Sequence, residues 1–282
     1  MGITRSNIKL IAKALKNKGV CGGSALVYSV LGVQGGYSEV ARLLSEEGYP
    51  AHLLAENERV MDSITQFGTT IHVSTLLKML GYERSETLDL FPDERPDIIA
   101  DLNTPFPADL WNRFDLVIDS GTAEHCFNIK EVLGNAVRAL KVGGVVMHIL
   151  PMSGWVGHGF YQFSPDVFSA FYKRNGFSEI EIMIELRIGF KMFYFVYDPE
   201  KPLPGDFWGI PAQVFFVARK VRGVVEILNP NQSVFDLPLD HPLRVGKKKS
   251  PLFFLVAKIL PDVFKKYLCR KLFFMRTTIH PL

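Results

Sequence analysis

The chain has 282 residues, 48% of them hydrophobic and 22% charged, an ordinary globular composition that can form a large core. Its formal net charge of +3 is too small to indicate binding to nucleic acid. Three widely spaced cysteines, Cys21, Cys126 and Cys269, show no metal or redox spacing and predict a reducing compartment. No segment reaches the roughly 20 apolar residues that span a bilayer. We therefore expect a cytoplasmic protein.

The first predicted elements are a helix, a strand and a second helix. Residues 1–19 carry lysines among apolar positions at helical spacing and predict an amphipathic helix on the domain surface, without a signal-cleavage pattern. Residues 25–31 predict a buried strand that stops at the glycine-rich turn 32–36. The next segment, 37–47, has helical spacing and ends before Gly48, which is typical of a helix C-cap.

Strand and helix patterns alternate along the rest of the chain, which predicts βαβ units, a mainly parallel sheet and right-handed crossovers. Residues 49–72 are predicted to be an insertion, and 187–211 a segment that covers part of the domain. The predicted helices are 74–80, 129–140 and 165–175, and the predicted strands are 85–90, 97–100, 114–118, 145–150, 179–184 and 213–218.

Polar and glycine-rich motifs follow the predicted strands, at the edge where open α/β sheets bind ligands. In chain order they are Gly32-Val33-Gln34-Gly35, Asp89, Asp101-Leu102-Asn103, Asp119-Ser120-Gly121-Thr122 and, before the fifth strand, Gly143-Gly144. Together with the segments 98–128 and 158–177, this order resembles the class I S-adenosyl-L-methionine (SAM) methyltransferases over residues 25–218.

The resemblance implies an α/β, Rossmann-like class I methyltransferase fold. Such a fold has a seven-stranded, mostly parallel sheet with one antiparallel strand and helices on both faces. It also implies SAM as cofactor and a division into an N-terminal helix (1–22), a SAM-binding domain (23–222) and a C-terminal extension (223–282).

The resemblance assigns cofactor contacts to four groups of residues. Glycines in the first loop would let the backbone approach the methionyl part closely; Gln66–Thr70 is a second candidate for this loop. Asp89 would accept hydrogen bonds from the ribose hydroxyls. The remaining implied contacts are Asp101, Leu102 and Asn103 at the adenine, and Asp119, Gly121 and Thr122 beside the cofactor and the transferred methyl.

Each assignment has a structural alternative. The first loop could be a simple strand-to-helix turn, and the family's acidic residue before Gly32 is absent. Asp89 could cap a turn, and Asp101 could form an Asx turn before Pro105. Asp119 could be a structural carboxylate at the end of a strand.

His158, with Tyr161 and His125, is the predicted catalytic group. It lies between Gly157 and Gly159, and an imidazole that titrates near neutral pH can take a proton from a hydroxyl. The alternative is a loop histidine bonded to backbone. Glu124 and His125 lack the H-E-x-x-H spacing, and neighbouring residues on a helix do not share a face, so we predict no catalytic metal.

A basic, apolar-striped segment at residues 247–276 predicts an amphipathic helix. Two interpretations stay open: a helix docked on the domain or on a second subunit, which is favoured, and a helix lying in a membrane interface. The second would make the protein peripheral at the inner face of the membrane.

We therefore predict a SAM-dependent methyltransferase whose acceptor is the hydroxyl of a small molecule or sugar. One alternative is another Rossmann enzyme that uses a nucleotide, although a G-x-G-x-x-G motif between strand and helix is absent. The other is a SAM-binding, membrane-associated module without catalytic activity.

Overall fold

The computed structural model describes residues 2–59, 63–65, 68–189, 191–199, 210–232 and 279–282. The helices are α1 Arg5–Lys18, α2 Tyr37–Glu46, α3 Val73–Met79, α4 Ile129–Ala139 and α5 Pro165–Arg174. The strands are β1 Ser24–Tyr28, β2 Gly32–Gln34, β3 Ser63–Thr65, β4 Gly68–His72, β5 Arg84–Asp89, β6 Ile98–Ile99, β7 Phe114–Ser120, β8 Leu140–Ser153, β9 Phe177–Ile188, β10 Lys191–Val196, β11 Ala212–Lys220 and β12 His280–Pro281.

The main sheet has the order β12-β10-β9-β11-β8-β7-β1-β5-β6. Five neighbouring strands, from β6 to β8, are parallel, whereas β11 runs antiparallel to β8 on one side and β9 on the other. The strand order reverses at β1, because β5 and β6 extend the sheet to one side and β7 and β8 to the other. The predicted α/β class, with a mostly parallel sheet, is confirmed.

Helices cover both faces of this sheet, and each face has its own apolar core. Along β1, Leu26 and Tyr28 pack with α4 and α5, while Ala25 and Val27 pack with α1, α2 and α3. This alternation follows from the two-residue period of a strand. Since both faces are covered, the central strands are apolar throughout, as parallel strands usually are.

The strand count differs from the predicted seven. Within the described residues the main sheet has nine strands, because β9 continues into a hairpin with β10, and β12 pairs with the outer edge of β10. Residues 191–196 therefore extend the sheet, whereas the segment 187–211 was predicted to cover part of the domain. Residues 200–209 of that segment lie outside the described residues.

The glycine-rich segment after β1 is also different from its prediction. Gly32–Gln34 is not a strand-to-helix turn but β2, which pairs antiparallel with β4 in a second, three-stranded sheet of order β2-β4-β3. Val33 is fully buried there and bridges to Ile3. Burial of this apolar side chain and pairing on both sides of β2 explain the extended conformation. The predicted insertion 49–72 supplies β3 and β4, the other two strands of this sheet.

Helix α1 begins at a capping box formed by Thr4 and Asn7 and ends at Gly19, whose φ is +60°. One side of the helix is buried against the sheet. Among the residues described, no helix is both long and apolar enough to cross a membrane. The predicted amphipathic helix at 247–276 lies outside the described residues.

Candidate functional site

The carboxyl ends of β1 and β7 meet where the strand order reverses, which is the usual ligand-binding crevice of an open α/β sheet. Thr122, in the turn after β7, joins the two ends because its hydroxyl donates to the Tyr28 carbonyl over 3.0 Å. Gly121 has a φ of +84°, which only glycine adopts without strain, so the turn can fold back toward β1. The predicted residues Gly121 and Thr122 therefore lie at the crevice.

Ser29 follows β1 directly and is the first residue of the crevice on that side. Its φ is +70°, an uncommon conformation for serine. Its hydroxyl donates to Asp89 Oδ2 over 2.6 Å, and its N–H donates to the Leu88 carbonyl over 2.6 Å. Residues 29–31 thus lie directly after β1, where Gly32–Gly35 were predicted to lie. Gly32–Gln34 instead form β2, and Gly35 follows that strand.

Asp89 lies at the end of β5 and is half-buried. Its Oδ1 accepts from the Phe91 N–H over 3.1 Å, and its Oδ2 accepts from Ser29. A carboxylate has about four lone-pair sites, so it can still accept further hydrogen bonds. The apolar side chains of Leu90, Phe91 and Ile99 nearby are exposed by 48%, 62% and 62%. Asp89 is therefore a carboxylate with spare acceptor capacity, near apolar side chains open to solvent.

The loop after β6 is held by amide side chains. Asp101 Oδ1 accepts from the Asn103 N–H over 2.8 Å, so the alternative of an Asx turn is confirmed in geometry. Asn103 Oδ1 accepts from the Asn128 N–H over 2.9 Å at the start of α4. The fully buried Asn135 accepts from the Phe106 N–H and donates to the Thr104 carbonyl, both over 2.8 Å. Together these bonds fix the loop, with Leu102 buried, against α4.

Asp119 is completely buried and belongs to a polar chain inside the fold. Its Oδ1 accepts from the N–H groups of Thr122 and Ala123, and its Oδ2 lies 2.8 Å from His148 Nδ1. His148 Nε2 lies 2.6 Å from the Tyr172 hydroxyl. Burial raises the pKa of Tyr172 well above its ordinary value, and the charge of Asp119 adds to the rise. Asp119 therefore holds the turn after β7 from inside the fold, which is the structural role that was given as its alternative.

Glu124, His125 and His158 form a cluster at the ends of β7 and β8. Glu124 Oε1 lies 3.9 Å from His125 Nε2 and 3.7 Å from His158 Nε2. The Glu124 side chain is fully buried, whereas the two histidines are 46% and 33% exposed. Burial, followed by the charge of Asp119, raises the pKa of Glu124 to about 8. Burial and the neighbouring His158 lower the pKa of His125.

Backbone contacts hold the loop of His158 against Glu124. The N–H groups of Phe160 and Tyr161 donate to the Glu124 carbonyl over 2.7 and 3.3 Å. A Cβ on Gly159 would lie 2.7 Å from that carbonyl oxygen, so only glycine fits at this position. The Tyr161 hydroxyl donates to the Phe127 carbonyl over 2.8 Å. The predicted catalytic residues His125, His158 and Tyr161 therefore come together, with Tyr161 bonded to backbone.

Two aromatic side chains beside the cluster are exposed, Phe127 by 73% and Phe160 by 67%. Their rings pack edge to face with centroids 5.8 Å apart. Exposed apolar side chains of this size that lie together often mark a binding surface. Each of these two side chains lies two residues along the chain from a histidine of the cluster, so exposed apolar groups adjoin it in sequence.

A separate cavity of about 440 Å³ lies between the first turns of α4 and α5. It is lined mainly by apolar groups, including Leu133, Val167 and Phe171, and none of the predicted site residues lines it. The strand-end crevice is therefore a different place from this cavity.

Four further residues around the crevice were not predicted from the sequence: Ser29, Asn135, His148 and Tyr172. Ser29 could have been found as the residue next to the apolar run of β1. His148 is a single polar residue inside the apolar strand Val145–Leu150, and its burial depends on contacts from α5.

A scan against protein-family models and a search of curated proteins give no match. Solved structures do show likenesses. A Methanococcus maripaludis protein assigned as a SAM-dependent methyltransferase is 13% identical, with 51% of this chain and 55% of that chain covered and a TM-score of 0.31. The match thus spans about half of the Methanococcus protein.

Two further structures match more of their own length. A SAM-dependent methyltransferase from Thermotoga maritima is 12% identical, with 77% of this chain and 90% of that chain covered and a TM-score of 0.39. A Bacillus halodurans protein assigned as a methyltransferase is 14% identical, with 75% and 99% covered and a TM-score of 0.43.

Proposed function

We propose that this chain is a SAM-dependent methyltransferase whose acceptor is a hydroxyl of a small molecule or sugar. The observation that carries the proposal is the crevice at the reversal of strand order. There, Asp89 and the Gly121–Thr122 turn surround the ends of parallel strands. The acceptor class comes from the family resemblance in the sequence.

The residues at the crevice fit the chemical parts of SAM. Asp89 has acceptor capacity for ribose hydroxyls, and the exposed apolar side chains of Phe91 and Ile99 offer a surface for a flat base. The loop 101–106, held by Asn135, supplies backbone polar groups nearby. The close backbone contact with the methionyl part of SAM was predicted for Gly32–Gly35. We assign it instead to the backbone of residues 29–31.

SAM, when bound, supplies an electrophilic methyl group on a sulfonium centre. The protein then has to bind the acceptor, orient its oxygen and exclude water. Correct orientation can remove roughly 7–11 kcal/mol of a reaction barrier. The loops after β7 and β8, with His158 and the exposed Phe127 and Phe160, are suited to holding the acceptor.

Calorimetry with S-adenosylhomocysteine tests the proposal directly. Wild-type protein is expected to bind it at one site, and Asp89→Asn to bind it roughly 10- to 100-fold more weakly, because a hydrogen bond to a charged group contributes about 1.5–3 kcal/mol. Asp93→Asn, at an exposed acid in the same loop, serves as the matched control and should bind like wild type.

The same titration with NAD and with a UDP-sugar tests the alternative that the chain is another Rossmann enzyme, one that uses a nucleotide. Absence of heat with S-adenosylhomocysteine, or equal affinity in wild type and Asp89→Asn, would contradict the proposed cofactor site.

A further inference from the structure

We propose that Glu124, His125 and His158 form a binding site for one divalent transition-metal ion of the Zn²⁺ type. Each residue offers one ligand atom, and the three atoms all lie within 4.8 Å of one another. Two imidazoles and one carboxylate are a common protein ligand set for zinc with an open coordination position.

Two of the three distances between the ligand atoms are close to those that a metal ion imposes, and the third is at most 4.8 Å. Metal–nitrogen and metal–oxygen bonds of about 2.0–2.2 Å hold tetrahedral ligands roughly 3.3 Å apart. The separations of 3.7 and 3.9 Å from Glu124 Oε1 to the two Nε2 atoms exceed this by about half an ångström. Both histidines are partly exposed, so their rings can rotate by that amount.

Glu124 provides independent support, because its carboxylate is buried without a partner. Its side chain is 0% exposed, and within the described part of the chain neither oxygen accepts a hydrogen bond. Burying an unpartnered carboxylate is costly. A cation between Glu124 Oε1 and the two imidazoles would satisfy it.

Backbone contacts hold Glu124 and His158 close together in the absence of an ion. The Glu124 carbonyl accepts from the N–H groups of Phe160 and Tyr161, and Gly159 allows the close approach. His158 is further held by its N–H bond to the Trp155 carbonyl over 3.1 Å and by the Trp155 ring, whose centroid is 5.5 Å away. Fixed backbone positions lower the cost of ordering the side chains around an ion.

The metal role and the general-base role of His158 exclude each other. Coordination through Nε2 would take the lone pair that a base needs to accept a proton. Metal binding at this cluster would therefore exclude His158 as the general base, and the titration that tests it does not depend on the proposed methyl transfer.

The test uses the untagged full chain, freed of metal by a chelator and dialysis. Calorimetric titration with Zn²⁺ is expected to show one site, and Co²⁺ to give the visible absorption of a nitrogen- and oxygen-ligated ion. Glu124→Gln replaces an anionic carboxylate ligand by a neutral amide, and the double variant His125→Ala/His158→Ala removes both imidazoles, so each should bind Zn²⁺ at least about tenfold more weakly. His52→Ala removes an exposed histidine outside the cluster and should bind like wild type.

Loss of binding in both cluster variants, with retention in His52→Ala, supports the site. Absence of binding in wild type, or equal affinity in wild type and the double variant, overturns it. If Glu124→Gln fails to fold, the double variant still decides, since its histidines are 46% and 33% exposed. S-adenosylhomocysteine binding, measured on the metal-free protein, reports separately on the proposed function.

Discussion

Ser29 has two opposing effects on stability at the start of the crevice. Its left-handed backbone conformation costs roughly 1–2 kcal/mol for a residue with a Cβ. Its hydroxyl, in return, donates to Asp89 over 2.6 Å. A serine in a strained conformation, bonded to the carboxylate of the next strand, holds the ends of β1 and β5 in a fixed relation.

Two substitutions at this position separate the effects. Ser29→Ala keeps the strain and loses the hydrogen bond, so we expect a loss of about 1–2 kcal/mol in the free energy of unfolding. Ser29→Gly loses the same bond but relieves the strain, so its stability should exceed that of Ser29→Ala by about 1 kcal/mol. Urea unfolding measures both. Equal stability of the two variants would show that the backbone at Ser29 is not strained.

The chain Asp119–His148–Tyr172 joins three elements, since its members lie on β7, β8 and α5. His148→Phe removes both bonds and leaves the Asp119 carboxylate without its imidazole partner in the core, which should cost about 3–5 kcal/mol. Tyr172→Phe removes only a hydroxyl and should cost about 1 kcal/mol. Urea unfolding followed by circular dichroism compares them. Similar losses in the two variants would mean that the Asp119–His148 bond does not support the fold.

Elements with a strong local pattern were predictable from the sequence. Helices α2, α4 and α5 lie within a residue or two of their predicted bounds, as do the central parallel strands β5 and β7. Strand β2 was not predictable, because Gly32–Gln34 is extended through pairing with β4 on one side and with Ile3 on the other, and no local pattern specifies either register. The same holds for the cluster: His125 and His158 were each candidates, but the approach of Glu124 to both depends on the loop after β8.

At the scale of the molecule, α1 connects the N-terminal part of the chain to the far strands of the sheet. Asn7 donates from Nδ2 to Glu185 Oε2 on β9 over 3.3 Å. Glu185 is 1% exposed, and among the described residues its Oε1 has no hydrogen-bond partner. Burial raises the pKa of Glu185 to about 7, and a side-chain bond from Ser6 opposes the rise. This buried carboxyl makes the stability of the whole fold depend on pH.

The sign of that dependence follows from proton uptake. Between pH 4.5, the ordinary pKa of glutamate, and about 7, the folded state holds a proton on Glu185 that the unfolded state has lost. Stability therefore falls as the pH rises through this window and stays lower above it, by about 3 kcal/mol. Glu185→Gln cannot ionise, so its stability should match that of wild type near pH 4 and exceed it by up to about 3 kcal/mol at pH 8. Urea unfolding of both proteins across this range measures the difference, and every other titrating group cancels in the comparison. Parallel stability curves would show that Glu185 ionises in the folded protein as readily as in the unfolded chain, and that the contact between α1 and β9 tolerates its charge.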